Sequence, residues 1–209
     1  MRIAALASRE MIQEIRGKRT AIQPEWIWLK SIQDLNDSVQ PDAIFDFEFS
    51  YDQERINILA QHLPKPIFVN SVATSLKEIG RPFIRFNGWP GFFGKDILEM
   101  AIPDSGSNGG EVILRNLGWT AKIVSDIPGL ISARIVSLII NEAYYTFQEG
   151  ISSREEIDIA MKLGTSYPFG PFEWNDLIGI KNIYSLLLAM QKEDQRYTIA
   201  ESLAQEATR

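Results

Sequence analysis

Apolar and polar positions follow two rhythms along this chain, and the rhythm changes near Pro128 and Gly129. Before that point, short runs of β-branched or aromatic residues predict strands over Ile3 to Ala7, Trp26 to Leu29, Asp42 to Phe49, Ile67 to Ser71 and Phe83 to Phe86. Between them lie helical stretches, Glu10 to Arg16, Ile32 to Val39, Gln53 to Leu63 and Leu76 to Ile79. In the Gln53 helix, Ile56, Leu59 and Ala60 share one face. Strands alternating with helices imply parallel pairing in an α/β sheet. A Gly/Ser-rich stretch, Ser105 to Gly110, then precedes a helix over Glu111 to Leu117 and a strand over Thr120 to Val124. The wider segment Asp104 to Gly110 lacks the Gly-Lys-Ser/Thr ending of a phosphate loop and reads as a connector.

Beyond Gly129 only helical periodicity remains. Ile131 to Phe147 is apolar nearly all round, with Ile135, Leu138, Ile139, Ile140 and Ala143, which predicts a buried central helix. Ser153 and Glu156 form a capping-box pattern for a helix over Arg154 to Leu163, with Gly164 as its stop. Two further helices are expected over Trp174 to Met190 and Gln195 to Ala207. The pattern therefore divides the chain into a domain at 1–125 and a helical domain at 126–209.

Composition narrows the partners. A net charge of −6 with no clustered basic face argues against nucleic acid. The absence of cysteine excludes disulfides, thiolate nucleophiles and cysteine metal sites, and favours a cytoplasmic protein. No apolar run is long enough to span a membrane, and Met1 to Ser8 has no leader pattern, so a soluble, unprocessed chain with no metal is expected.

The run Asp126-Ile-Pro-Gly-Leu-Ile-Ser-Ala-Arg134 is similar to the signature Asp-x-Pro-Gly-Phe-Ile-x-Asn-Arg of the 3-hydroxyacyl-CoA dehydrogenase family. Asn141-Glu-Ala143, Glu149-Gly-Ile151, Ile157-Asp158, Met161-Lys-Leu-Gly164, Tyr167-Pro-Phe-Gly-Pro-Phe-Glu173 and Asp176-Leu-Ile-Gly179 follow in the family's order and spacing. Upstream, Ser71-Val-Ala-Thr-Ser-Leu76 and Leu98-Glu-Met100 resemble the family's Ser-Asn-Thr-Ser-Ser-Leu and Leu-Val-Glu-Val, so the resemblance covers roughly residues 41–190. It implies a shortened Rossmann-like parallel sheet domain followed by an all-α domain like the C-terminal one of 6-phosphogluconate dehydrogenase. It also implies pairing through the helical domain, either as a homodimer or with a related dehydrogenase.

The departures from the family bear on chemistry. In the family a histidine in His-Phe-Phe-Asn-Pro takes a proton while hydride leaves for nicotinamide, and a glutamate orients that histidine. Anchoring on Pro90 puts Phe86 at the histidine position, or Asn87 if the register slips by one, and neither accepts a proton near neutral pH. The resemblance carries the family's serine onto Thr74, its glutamate onto Glu99 and its signature asparagine onto Ala133. Thr74, Asn87 and Glu99 are thus the vestigial catalytic candidates, while His62 reads as a surface or helix-end residue. Phe86, Trp89 and Phe92 are candidates to line an acyl pocket, with core between the domains as the plainer reading.

The first strand-to-helix turn reads Ala5-Leu-Ala-Ser-Arg-Glu10, with no glycine before Gly17, where a dinucleotide fingerprint needs glycines for close backbone approach. Glu10 adds a carboxylate where the pyrophosphate would sit, and Lys30 stands where an acidic residue would hold the ribose. The expectation is therefore of no cofactor, and of a protein without efficient dehydrogenase activity that acts by dimerisation or by binding an acyl or CoA-type ligand. The alternatives are a weakly active NAD(P)-dependent oxidoreductase of fatty-acid metabolism, with Asn87 and Thr74 polarising the hydroxyl, and a carrier of a small acyl or carboxylate ligand in the cleft between the domains.

Overall fold

The computed structural model describes residues 1–18, 20–35 and 40–209. It divides into two compact units, Met1–Leu130 and Ile131–Arg209.

The first unit is built on a seven-stranded sheet: β1 (Arg2–Leu6), β2 (Glu25–Leu29), β3 (Ala43–Asp46), β4 (Ile67–Val69), β5 (Ile84–Phe86), β6 (Ile97–Ala101) and β7 (Thr120–Ile123), in the order β2-β1-β3-β4-β5-β6-β7. The first five are parallel, β6 runs antiparallel to β5, and β7 is parallel to β6. Parallel strands covered on both faces read as continuous apolar runs, and Ile3-Ala4-Ala5-Leu6 is such a run, wholly buried. Side chains alternate between two cores. Phe45, Phe68, Phe86, Phe93 and Trp119 occupy one, and Ile44, Leu6, Ile56, Leu59 and Phe83 occupy the other.

The first three covering helices each begin where a side chain satisfies first-turn N–H groups. In α1 (Arg9–Gly17) the Ser8 hydroxyl accepts from Met11 N–H at 3.2 Å, and Met11 and Ile15, four apart, bury against the sheet. Asp52 caps α2 (Gln53–Ala60) through Arg55 N–H, and Ser75 with Glu78 forms a reciprocal capping box on α3 (Leu76–Ile79). Helix α4 (Gly110–Asn116) starts at Gly110, where an added Cβ would collide with Ile84 on the sheet, so glycine permits the close approach.

Several sequence expectations need correction. The strand β6 is absent from the hydrophobic reading, and its direction breaks the all-parallel rule. Its pattern, with Ile97 exposed and Glu99 half-buried, lacks the continuous apolar run of its parallel neighbours. Ile32 to Val39 forms only a 3-10 turn over Ile32–Asp34, and positions 36–39 of that predicted helix lie outside the described residues. The predicted strand Asp42 to Phe49 contracts to Ala43–Asp46, and Asp46 at its end is paired with Arg55 at 2.5 Å. The boundary drawn at 125/126 falls five residues later. Asp126 is paired with Arg85, Gly129 N–H donates to Val72 O, and Leu130 is buried in the second sheet core.

The second unit contains α5 (Ser132–Gln148), α6 (Arg154–Thr165), α7 (Pro171–Ile178), α8 (Ile180–Glu193) and α9 (Glu201–Ala207). Asn141 on α5 holds the segment before α9 in place, donating to Thr198 O at 2.8 Å and accepting from Ala200 N–H at 2.9 Å. Asp158 on α6 caps α7 by accepting from Phe172 and Glu173 N–H at 2.8 and 3.2 Å. Gly170 lies so close to Asp158 that an added Cβ would overlap its side chain. Here too the prediction is corrected. Gly164 does not stop α6, which runs on to a left-handed Ser166. The helix expected over Trp174 to Met190 is two helices, broken at Gly179 with φ 90°. Nor is α5 buried all round, since Ile135 is 50% exposed in the chain.

Candidate active site

The residues singled out as chemical candidates gather at the carboxyl end of β4 and β5, where parallel strands of an open sheet present their loops. β4 runs into the segment Asn70 to Ser75, and that segment is bonded to its neighbours at several points. Asn70 Nδ2 donates to Phe47 O at 3.0 Å and its Oδ1 accepts from Gly88 N–H at 2.9 Å. Ser71 Oγ donates to Thr74 O at 2.9 Å. The buried Arg85 donates through Nε to Ser71 O at 2.6 Å and through Nη2 to Val72 O at 3.0 Å.

Asn87 follows directly on β5, and its backbone N–H donates to Glu99 O on β6 at 3.2 Å. Phe86 and Met100 are paired across the same two strands and both lie in the aromatic core. By strand alternation Asn87 and Glu99 therefore face the opposite side, together with Arg85. Of the two registers open to the sequence, the structure sets Asn87 and not Phe86 next to the glutamate. Thr74 and Glu99 are half-buried and Asn87 is 2% exposed, with its Oδ1 accepting from Trp89 N–H at 3.2 Å. Gly88 is required beside it, since a Cβ there would approach Phe86 to 2.6 Å and Asn70 to 2.9 Å.

Phe86 cannot line a pocket. Its ring is enclosed by Phe45, Phe47, Phe68 and Phe93, with centroids 5.3–6.5 Å away, which is core packing. Trp89 and Phe92 are buried as well. Ala133 is fully buried on α5. His62 lies just past the end of α2, on a turn whose N–H donates to Leu59 O, as a helix-end residue.

Two members of this frame escape sequence reading. Asn70 and Arg85 each sit one residue outside or inside a strand and belong to no motif. The one available signal was an arginine in an otherwise apolar strand, Phe83-Ile-Arg-Phe86. A guanidinium there must find partners on the covered face. Asp126 is the principal one, at 2.5 Å from Nη1, and it also accepts from Leu76 and Lys77 N–H at the start of α3. The first residue of the Asp-x-Pro-Gly signature is thus a clasp between α3, β5 and the chain leading out of the sheet unit.

At the first strand-to-helix turn, the Ser8 hydroxyl is engaged by Met11 N–H. The Glu10 carboxyl is held below its ordinary range, first by a bond from its own backbone N–H and then by the Ser8 side chain. The positive end of α1 is met by its own carboxylate, and the turn does not fit a pyrophosphate in the manner of a glycine-rich loop. Lys30 is exposed just beyond β2.

Comparison with known proteins places these features. Residues 129–208 match the family model described as 3-hydroxyacyl-CoA dehydrogenase, C-terminal domain. The chain is 37% identical over 132 residues to 3-hydroxyadipyl-CoA dehydrogenase of Escherichia coli K12, covering 62% of this chain and 28% of that enzyme. It is 35% identical over 103 residues to 3-hydroxybutyryl-CoA dehydrogenase of Bradyrhizobium diazoefficiens, covering 48% of this chain and 35% of that enzyme. The matches thus span about a third of these relatives' own lengths. The crystal structure of (S)-3-hydroxybutyryl-CoA dehydrogenase from Ralstonia eutropha shares the fold, with a TM-score of 0.73 at 18% identity over 98% of this chain and 92% of that one.

These relatives overturn one expectation. They are dehydrogenases, and removal of hydride needs a carrier, so a cofactor is to be expected where the bare sequence led to none. The helical unit is matched by the model of the 3-hydroxyacyl-CoA dehydrogenase C-terminal domain, the sheet unit shares the fold of such an enzyme, and the chain is in both respects similar to that family.

Proposed function

We propose that this chain binds 3-oxoacyl or 3-hydroxyacyl thioesters at the carboxyl end of β4 and β5 and oxidises or reduces them slowly, as a relative of the 3-hydroxyacyl-CoA dehydrogenases without their proton-transfer histidine. What supports this reading is a backbone frame at that end of the sheet, in which Ser71 Oγ donates to Thr74 O, Arg85 grips Ser71 O and Asn87 N–H donates to Glu99 O. Asn87 and Thr74 hold the C3 oxygen, and its proton leaves to solvent. A positioned side chain that moves a proton contributes about 10²–10⁴-fold, so turnover falls short of histidine-bearing relatives by roughly that factor. The absence of cysteine supports a cytoplasmic setting.

Reduction of acetoacetyl-CoA, followed through loss of NADH or NADPH absorbance, tests this reading together with calorimetric titration of each dinucleotide. Asn87→His restores a proton carrier beside Glu99 and is expected to raise turnover by about 10-fold or more. Wild-type turnover equal to that of the E. coli relative, or a variant no faster than wild type, would count against the assignment.

A second observation supports pairing of two copies through the helical unit. Ile135 on α5 and Ile159 and Leu163 on α6 are exposed, and the same two helices line a largely apolar groove of about 410 Å³ with Ile139, Ala143, Ile157, Ala160 and Met161. Apolar surface of that kind marks an interaction site. A homodimer is proposed, with a related dehydrogenase as the other partner of the same face.

A further inference from the structure

We propose that the open edge of the sheet at β2 is an interface, at which β2 pairs antiparallel with β2 of a second copy of this chain about a two-fold axis at Ile27. This contact is separate from the helical face and does not depend on the acyl-thioester reading.

Among the described residues β2 is the last strand of the sheet, bonded to β1 on one side and to no strand on the other. Glu25 N–H donates to Met1 O at 2.9 Å, so along the ladder Glu25, Ile27 and Leu29 turn their backbone groups toward β1. The N–H and C=O groups of Trp26 and Trp28 therefore point out of the sheet, as a template for a further strand. Sheet edges are commonly guarded by a charge or a proline within the strand. The opposite edge, β7, has such a charge in Lys122. By contrast β2 reads Glu-Trp-Ile-Trp-Leu, with its one charge at the first residue, where Glu25 is paired with Arg2 at 3.5 Å.

The sequence of that edge selects its occupant, because Trp26-Ile27-Trp28 reads the same in both directions. A two-fold axis at Ile27 sets Trp26 opposite the partner's Trp28, and Trp28 opposite the partner's Trp26, as hydrogen-bonded pairs. Ile27 faces its own counterpart in a non-hydrogen-bonded pair. On one face Trp26 and Trp28, stacked at 5.0 Å and half-buried against the aromatic core, meet the same pair of indoles. On the other face Ile27, half-buried against the second core, meets its like. The register is narrow. A slip of one residue opposes outward to inward backbone groups and loses the bonds. A slip of two sets a tryptophan against Pro24, which has no N–H, or against Lys30, whose N–H already donates to Asp34 at 3.0 Å.

The strand has five residues, and a contact of that length falls below the roughly 1,200 Å² of a stable interface. Pairing at this edge is therefore weak. It fills near millimolar concentration, above the micromolar range in which the helical face is tested, and joins the two sheets into one continuous sheet across both copies.

The chain has no cysteine, so a single introduced one reports on this contact alone. Across a non-hydrogen-bonded pair the Cα atoms lie about 4.5 Å apart, within the disulfide range of about 4.4–6.8 Å. Ile27→Cys in the full chain, oxidised with copper phenanthroline near millimolar concentration, is expected to give a linked dimer on non-reducing gels. Glu25→Cys should stay unlinked, because the two copies of that position stand roughly 14 Å apart along the paired strands. No link in Ile27→Cys, or equal linking of both variants, overturns the proposal; the first result would leave the edge to an extended segment of another protein. If Ile27→Cys does not fold, sedimentation of the unsubstituted chain from micromolar to millimolar concentration decides. Its mass should double over that range, and Trp28→Lys should weaken this step about 10-fold through the lost aromatic pairs. A mass independent of concentration, or a rise unchanged by Trp28→Lys, overturns the proposal.

Discussion

Arg85 shows how one residue can decide what its neighbours are able to do. A guanidinium inside a sheet core is costly unless each of its donors is met, and here the partners are the carbonyls of Ser71, Val72 and Ile127 and the Asp126 carboxylate. The segment that presents Thr74 therefore owes its shape to a side chain on the adjacent strand. Removing the carboxylate leaves the buried cation without its counter-charge. Asp126→Ala is expected to destabilise the sheet unit by about 3 kcal/mol, the low end for breaking a buried pair because Asp126 is partly exposed. Urea unfolding followed by tryptophan fluorescence would measure it; a loss below about 1 kcal/mol would show that the bonds to carbonyls suffice. Of the residue-level readings, Thr74, Asn87 and Glu99 were legible as candidates because motif spacing places them. The choice between Phe86 and Asn87 was not, since a slip of one residue in a strand exchanges the two faces of the sheet.

Among the elements, the helices of the second unit are tied by polar pairs that respond to pH in opposite directions. Glu206 on α9 meets Arg154 on α6 at 2.5 Å, and that bond holds its carboxyl below the ordinary range. A depressed carboxyl contributes stability that is fully present above its unfolded value of about 4.3 and is lost as pH falls through the folded value. Burial pushes the Asp158 carboxyl up, against the bonds from Phe172 and Glu173 N–H, so its share runs the other way and is relieved by acid. The stability gap between wild type and Glu206→Gln is therefore expected to narrow as pH drops from 6 to 3. Denaturant titrations at several pH values would detect it, and a gap independent of pH would dismiss the pair as a source of acid sensitivity. At this scale most helices and strands were readable from periodicity and caps. Ser153 with Glu156 and Ser75 with Glu78 are cases where a local pattern and the observed cap coincide. The strand β6 was not readable, because it has antiparallel and half-exposed character within a parallel sheet. The break at Gly179 was missed because apolar spacing continues across it from Trp174 to Ile183.

For the molecule as a whole, the family motifs in the second unit prove to be folding information. Asn141 fastens the approach to α9, Asp158 and Gly170 seat α7, and Glu173 pairs with Lys162. Those helices leave Ile135, Ile159 and Leu163 uncovered, with Leu163 82% exposed. No helix among the described residues is long and apolar enough to cross a membrane. Association with another protein is the use proposed for the apolar surface. Light scattering at micromolar concentration is expected to give twice the chain mass, and Leu163→Glu to shift it toward one. A wild-type monomer would remove the pairing proposal.

By itself, the sequence determined the α/β-then-α order, the family resemblance and the set of polar residues available for chemistry, since periodicity, caps and motif spacing are local properties of the chain. Tertiary structure alone decided that Asn87 stands beside Glu99, that Phe86 is core, and that Arg85 and Asp126 shape the Thr74 segment. Those outcomes depend on strand register and on where a buried charge finds its partner, and residues 41 positions apart settle the latter only once the chain has folded.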